Sequence, residues 1–141
     1  MSIWLQQPEL NALNALSKNT LVELLDIRFE AFDDDSLTAS MVVDPRTHQP
    51  YGLLHGGVSV VLAETLGSCG AAYSCPEGYR AVGLDINANH LKGATSGWVT
   101  GTTRPIHMGR STHVWQIDLH NDAGELTCVS RITMAVLQNR P

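Results

Sequence analysis

The hydrophobic and polar positions of the first 55 residues change their period twice. Leu10, Leu13 and Leu16 recur at helical spacing after Pro8, which suits a first helical turn, so residues 8–17 are predicted to form a short amphipathic helix. The period then falls to two in two stretches separated by a polar turn at residues 33–36, which predicts two strands. The alternating residues are Ile27, Phe29, Ala31, Leu37, Ala39, Met41 and Val43. Residues 44–52 carry two prolines and a glycine and predict a loop.

The segment 56–73 is apolar or small on nearly all sides, which predicts a helix buried by other elements. Strand-like runs follow at residues 81–91, 97–103, 112–120 and 126–137, and "NDAG" at 121–124 predicts a hairpin between the last two. A short helix, two strands, a buried helix and four strands fit one α+β domain over residues 1–141. Its antiparallel sheet is expected to curl around the central helix.

Composition adds two expectations about partners. Charged residues make up 16% of the chain, below the roughly 25% that is typical of soluble domains, which indicates surface hidden by self-association. The net charge is −5 and Lys plus Arg number nine, so an extended basic face for nucleic acid is not expected.

The cysteines and the chain start bear on location. Three cysteines without a C-x-x-C pair do not predict a disulfide framework. The start "MSIWLQQPEL" lacks the basic and apolar regions of a secretory leader, and no apolar run approaches the ~18 residues of a membrane span. We therefore expect a cytoplasmic protein with no membrane partner.

Glu64 is the single carboxylate in the predicted central helix. A carboxylate among apolar neighbours is costly unless it is hydrogen-bonded or faces a wet cleft, and burial would raise its pKa. Such a group suits proton exchange or attack on a carbonyl. Ser68 follows one turn later and is placed to orient Glu64 or a water. A structural Glu64 paired with an arginine, and a Ser68 that only permits helix packing, stay open alternatives.

Gly56 and Gly57 leave the N–H groups of the predicted first turn unshielded, at the positive end of the helix dipole. Such groups stabilise an oxyanion, although two glycines also permit close packing against a sheet. Eight positions separate Gly56 from Glu64, about 12 Å along one helix. One carbonyl carbon cannot lie within bonding reach of both. Joint action therefore predicts a homodimer with antiparallel helices and two sites at its seam.

Other chemistries find less support. No G-x-S-x-G motif is present, and Cys69 has no basic neighbour to activate it. The six histidines form no H-x-x-x-H or Cys/His pair, so neither a metal nor a cofactor is expected. His90 ends an alternating run and either faces a cleft mouth or makes a structural hydrogen bond. Lys92, Arg104 and Arg110 are cations that either bind phosphates or are solvated.

The stretch "RTHQPYGLLHGGVSVVLAETLGS" (residues 46–68), with "VGLDINANH" and P-x-H-x-G-R downstream, resembles the hotdog-fold acyl-CoA thioesterases. The resemblance runs from about residue 4 to 137. It points to the branch similar to 4-hydroxybenzoyl-CoA thioesterase of the Gln–Gly–Glu type. Within it, the chain resembles the group that acts on 1,4-dihydroxy-2-naphthoyl-CoA or on misacylated carrier protein of enterobactin synthesis.

The resemblance implies roles for matching positions. Gln49 and the Gly56 N–H would polarise the thioester oxygen, and His55 would help to position that group. Glu64 would be the nucleophile or general base, and Ser68 would hold the water or support Glu64.

The resemblance also implies a substrate-binding set made of Gly57, His90, Lys92, Arg110 and Ser111. His90 would contact the acyl group or the water, and the last three would lie near the CoA phosphates. Members of this family are dimers of dimers, so a homo-oligomer acting on acyl-CoA or acyl-carrier-protein thioesters is expected. A hotdog 3-hydroxyacyl-thioester dehydratase or hydratase, and a non-catalytic acyl-CoA binding protein, are the alternatives.

Overall fold

The computed structural model describes all 141 residues and contains three helices and six strands. The antiparallel sheet has the strand order β1-β2-β4-β5-β6-β3 and curls around helix α3, which it contacts through β2 to β6. This confirms the α+β hotdog arrangement. The elements are α1 (Leu10–Leu16), α2 (Leu21–Leu24), β1 (Arg28–Phe32), β2 (Leu37–Val42), α3 (Gly56–Tyr73), β3 (Tyr79–His90), β4 (Trp98–Met108), β5 (Thr112–Asn121) and β6 (Leu126–Gln138).

The two short helices lie ahead of the sheet. Helix α1 begins after Glu9, whose carboxylate accepts the N–H groups of Asn11 and Ala12, and only Leu13 is buried. Helix α2 was not predicted. It is a single turn capped by the Thr20 side chain, and four residues are too few to show a periodic pattern.

The predicted alternation of β1 is wrong beyond Phe29. Ile27 and Phe29 are buried, but the pairing with β2 shifts between Phe29 and Ala31, and Ala31 is exposed. The shift is a bulge, which inserts one extra residue and turns the following side chains to the other face. Period-two counting from sequence does not detect such an insertion.

One side of α3 packs against the sheet and is buried. We call it the closed face: Ser59, Leu62, Ala63, Leu66, Gly67, Gly70 and Ala71. A Cβ at Gly67 would lie 2.5 Å from Ile132 Cγ2, and one at Gly70 would lie 2.8 Å from the Trp115 ring. The small residues therefore let the helix approach β5 and β6 closely.

The sheet leaves the other side of α3 uncovered in the single chain, where the sequence predicts the antiparallel helix of a partner subunit. We call this stripe the open face: Gly57, Val60, Val61, Glu64, Thr65, Ser68 and Ala72. Gly57, Glu64 and Ala72 are exposed and the others are half-buried. The sequence shows that the helix is apolar but not which side stays exposed, because that depends on which strands pack against it.

Strand β3 is the second uncovered region. It is an edge of the sheet, paired with β6 on one side and with nothing on the other. Leu84 is 65% exposed and Val82 is also exposed, whereas Ile86 is half-buried. Twelve residues of bare edge next to the open face leave a continuous uncovered surface.

Candidate active site

A cavity of about 360 Å³ lies at the N-terminus of α3. Four of the residues selected from the sequence, Gln49, Gly56, His90 and Lys92, line it together with Ser59. They come from the loop before α3, the first turn of α3 and the end of β3. The fold thus brings together residues that lie up to 43 positions apart in the chain.

The loop before α3 presents Gln49. Thr47 is fully buried, and its hydroxyl contacts the backbone of Val42 and Asp44, which fixes the start of the loop. The Gln49 N–H donates to the Leu53 carbonyl at 2.7 Å across a tight turn. The Gln49 Oε1 accepts the Tyr51 N–H. The side-chain NH₂ of Gln49 has no partner in the chain and remains available as a donor to the cavity.

His55 caps helix α3. Its Nδ1 accepts the Gly57 N–H at 2.9 Å, and its carbonyl accepts the N–H groups of Val58 and Ser59. The Gly57 N–H is therefore occupied. The Gly56 N–H has no hydrogen-bond partner in the chain. Of the two predicted oxyanion donors, only Gly56 is free, and His55 fixes the helix start that presents it.

His90 lies directly over Gly56. A Cβ at Gly56 would lie 2.8 Å from His90 Nε2 and 3.1 Å from Cε1. Glycine is therefore required at position 56 for the imidazole to stay where it is. The contact places a ring nitrogen beside the free N–H at the positive end of the helix. His90 thus faces the cavity, as one of the two sequence interpretations expected.

Glu64 lies outside this cavity, on the open face of α3. A Cβ built on Gly83 would lie 3.4 Å from Glu64 Oε1, so the carboxylate stands over the middle of β3. No Lys, Arg or His makes a salt bridge to Glu64 in the chain. Glu64 therefore forms no structural pair with an arginine of its own chain. The side chain is exposed in the single chain, so its carboxylate is in contact with solvent there.

Ser68 follows Glu64 one turn later on the open face and is half-buried. Its hydroxyl has one neighbour, the Met134 sulfur at 4.0 Å, which is a weak acceptor. The hydroxyl is therefore free to exchange this contact for a water or a carboxylate beside it.

The predicted phosphate ligands are divided between two ends of the sheet. Lys92 borders the cavity and pairs with Glu125, and this partner holds the pKa of Glu125 below its usual value. Arg110 and Ser111 lie in the β4–β5 turn, where the Ser111 carbonyl accepts the Val136 N–H at 2.9 Å. Val136 pairs with Ala81, so this turn lies beyond the far end of β3 from His90.

Glu125 was missed by sequence reasoning, because it sits in the β5–β6 hairpin and no motif links it to Lys92. Arg104 also has an acidic neighbour, with its Nε 3.8 Å from Asp35 Oδ1. Lys92 and Arg104 thus each have an acidic partner, which their positions in the sequence did not indicate.

Three further structural findings concern metal binding, thiol reactivity and membrane insertion. No group of three or more His, Cys, Asp or Glu side chains is arranged to hold a metal ion. Burial raises the pKa of the Cys69 thiol to about 11, so the thiolate is scarce at neutral pH. No helix combines the length and the apolar character needed to cross a membrane.

Comparison with known proteins identifies the family. Residues 51–128 match the thioesterase superfamily. The chain belongs to this family. It is 52% identical over 136 residues to a 1,4-dihydroxy-2-naphthoyl-CoA hydrolase of Escherichia coli K12, covering 96% of this chain and 99% of the relative. It is 45% identical over 135 residues to the proofreading thioesterase EntH of Cronobacter turicensis, covering 96% and 98%.

Solved structures agree with the fold. The crystal structure of a mutant thioesterase PA1618 (Q49A) from Pseudomonas aeruginosa superimposes with a TM-score of 0.95 at 58% identity, covering 97% of this chain and 99% of that one. This chain is therefore a thioester hydrolase with a hotdog fold, and the cavity at the start of α3 is its candidate active site.

Proposed function

We propose that this thioesterase hydrolyses an aromatic or medium-chain acyl thioester at sites shared by two protomers. The supporting observation is that the free Gly56 N–H and the unpaired Glu64 carboxylate lie at two levels of the same bare edge strand. Each chain carries both halves of a site, but the two halves are about 12 Å apart along α3 and cannot serve one carbonyl.

Pairing of two β3 edges supplies the missing half. Gly56 lies against His90 and Glu64 lies against Gly83. If two β3 strands pair antiparallel about a two-fold axis at Asn87, which the bulge between Gly83 and Asp85 places midway between Gly83 and His90, each His90 lies opposite the other chain's Gly83. The Gly56 N–H of one protomer then faces the Glu64 carboxylate of the other across the seam. The same pairing covers the open face of α3 and the free edge of β3.

The same two-fold axis also gathers the proposed phosphate ligands. It places Ala81 of one chain opposite Lys92 of the other. Ser111 and Arg110 lie two strands in from Ala81, roughly 10 Å away at the ~4.8 Å spacing of neighbouring strands. Lys92 of one protomer and the 110–111 turn of the other would therefore border one groove that holds the CoA phosphates. Lys92 would exchange Glu125 for a phosphate oxygen.

The reaction follows from these positions. The thioester oxygen accepts hydrogen bonds from the Gly56 N–H and the Gln49 NH₂, which stabilise the negative charge that develops on it. Glu64 of the second protomer attacks the carbonyl carbon to give a mixed anhydride, or takes a proton from a water that attacks it. The C–S bond breaks in either route, and the thiolate leaves and takes up a proton. In the anhydride route that proton comes from water, and a second water then cleaves the anhydride to release the acid and restore Glu64; in the general-base route the proton that Glu64 took from the attacking water passes to the thiolate. Ser68 orients Glu64 or the water, and His90 flanks the acyl group.

The choice of substrate rests on the named relatives. The Escherichia coli relative is named for an aromatic acyl-CoA, and the Cronobacter relative for proofreading. These names support an aroyl group on CoA or on a carrier protein. We further propose a dimer of dimers in the cytoplasm, where the three free cysteines would stay reduced.

A complementation experiment tests the shared site. Gln49→Ala and Glu64→Gln chains are each purified, mixed, unfolded and refolded together. Half of the dimers are mixed, and each mixed dimer holds one intact site, so about a quarter of wild-type activity should return. Mixing Gln49→Ala with Gly56→Ala is the matched control, because both defects lie in the same half and no intact site forms. A mixture of Gln49→Ala and Glu64→Gln as inactive as its parents would refute the composite site.

Thiol release distinguishes hydrolysis from the alternatives. Benzoyl-CoA, 1,4-dihydroxy-2-naphthoyl-CoA and medium-chain acyl-CoAs should each be tested for free CoA. A dehydratase releases water without thiol, and a binding protein releases neither. In a single turnover in ¹⁸O-water, label in Glu64 supports the anhydride route, whereas its absence favours the general-base route.

A further inference from the structure

A second cavity of about 390 Å³ lies at the opposite end of α3, between the N-terminal segment and the β4–β5 turn. Its walls are largely apolar and include Leu5, Pro76, Met108 and Val136. None of the residues of the candidate active site other than Arg110 lines it. Apolar walls with a few converging polar groups are the usual makeup of a small-molecule site.

The Ser74 hydroxyl is the first of these polar groups. Ser74 lines the cavity with only 6% of its surface exposed, and its Oγ is the only buried side-chain polar atom of the chain without a hydrogen-bond partner. The backbone around it is satisfied: the Ser74 N–H donates to the Ala71 carbonyl, and the Tyr73 carbonyl accepts from Leu5 and Gln6. An unpaired buried hydroxyl is costly, and a ligand that bonds it would remove that cost.

His113 supplies a second donor. It is 3% exposed, and its Nδ1 lies 3.4 Å from Trp115 Nε1. An indole nitrogen only donates, so Nδ1 must be the acceptor and the proton sits on Nε2. The Nε2–H has no partner in the chain. Burial, with a smaller effect of His107, lowers the pKa of His113 and keeps the ring neutral at pH 7.

Arg110 stands at the exposed rim of the cavity. It makes no salt bridge, and no acidic residue lines the cavity. The site thus has a cation at its mouth, an apolar body, a buried Ser74 hydroxyl and an unpartnered His113 N–H.

We propose that this cavity binds a hydroxylated aromatic carboxylate. The carboxylate pairs with Arg110 at the rim, the ring lies against the apolar walls, and the phenolic hydroxyl accepts from His113 Nε2 and donates to Ser74 Oγ. One ligand of this class satisfies all three free polar groups. Ser74 and His113 take no part in the proposed hydrolysis, whereas Arg110 is shared with the proposed CoA groove, so binding is measured in the absence of CoA.

The test compares two probes by calorimetry without CoA: 3-(4-hydroxyphenyl)propionate and 3-phenylpropionate, which lacks the hydroxyl. The hydroxylated probe should bind wild-type protein about 10-fold more tightly, the value of one or two buried hydrogen bonds. Ser74→Ala should weaken the hydroxylated probe about 5-fold or more and leave 3-phenylpropionate unchanged. Thioester hydrolysis by Ser74→Ala should equal that of wild type, which separates this proposal from the catalytic one.

Two further measurements locate the probe. Arg110→Gln should weaken both acids about 10-fold and leave uncharged 4-ethylphenol unaffected, whereas the control Arg104→Gln should change neither acid. Imidazole nitrogen NMR should show a shift at His113 on titration. Equal affinity of the two probes, a Ser74→Ala variant with unchanged preference, or a shift at His90 in place of His113 would each overturn the proposal.

Discussion

The two faces of α3 differ in what they do, although they share one apolar sequence. The closed face is filled by the sheet, and its residues are small or aliphatic and buried. The open face carries the only carboxylate of the helix and is left bare in the single chain. One face therefore supplies stability, whereas the other holds reactive groups ready for a surface that the chain itself does not provide. A change on either face should affect one property and spare the other.

The largest effect is expected from Glu64→Gln on the open face. This variant removes the nucleophile or base while keeping its shape, so kcat should fall about 10³-fold. The melting temperature should stay unchanged, because Glu64 has no salt-bridge partner in the chain and glutamine keeps its shape. Glu77→Gln, at an exposed glutamate past the end of α3, is the matched control. Activity within about two-fold of wild type would remove Glu64 from the mechanism.

Gly56→Ala keeps the backbone N–H but should displace it from the thioester oxygen, and this should cost about 10²-fold in kcat, the usual value of one lost oxyanion donor. The added Cβ would lie 2.8 Å from His90 Nε2, so the ring or the helix start must move. A shifted His90 ring signal in NMR with a wild-type far-UV spectrum would locate the damage. A fully active Gly56→Ala enzyme would show that this contact is not needed for catalysis.

Leu66→Ala tests the closed face. Leu66 is fully buried, so the truncation should lower the free energy of unfolding by about 3 kcal/mol. Turnover per folded molecule should stay near wild type at a temperature where the variant is folded. Urea denaturation and active-site titration measure the two quantities separately. A large loss of kcat with unchanged stability would contradict the division of labour between the faces.

The smallest expected effect is on the pH dependence of stability, through His113. This residue lies on β5, the strand whose Trp115 packs on Gly70 of the closed face. Burial lowers the pKa of nearby His113 from its ordinary 6.5, so its contribution to stability is present above pH 6.5 and is lost as the pH falls through the folded-state pKa. His113→Gln keeps an acceptor for Trp115 and cannot charge. Its melting temperature should fall less than that of wild type between pH 7 and 5. Identical slopes would mean that other groups govern acid unfolding.

Much of the fold could be predicted from the sequence. The bounds of α3 and the hairpin turns at 33–36 and 121–124 agree with the structure, since each is marked by several neighbouring residues of one character. Helix α2 and the β1 bulge could not be predicted, because one turn or one inserted residue leaves no period to count.

The sequence predicted which residues belong to the candidate site, but not which of them lie together in the fold. Gln49, Gly56 and His90 meet at one cavity, while Arg110 lies at the other end of the sheet. The order of the strands in the sheet decides which residues meet. Strand β3 pairs with β6, the last strand of the chain, and local sequence patterns do not reveal this pairing. The exposure of Glu64 was also out of reach, because a sequence does not show which side of an apolar helix its own sheet leaves open.

The bare edge of β3 has a consequence for the newly made chain. Until β3 pairs with the β3 strand of a second chain, the outer edge of this twelve-residue strand has unpaired backbone groups, beside the exposed Leu84 and Val82. Any other extended segment nearby could pair with this edge. Overproduction in a host with little folding assistance should therefore favour inclusion bodies, and their yield should track how long chains stay solitary after synthesis.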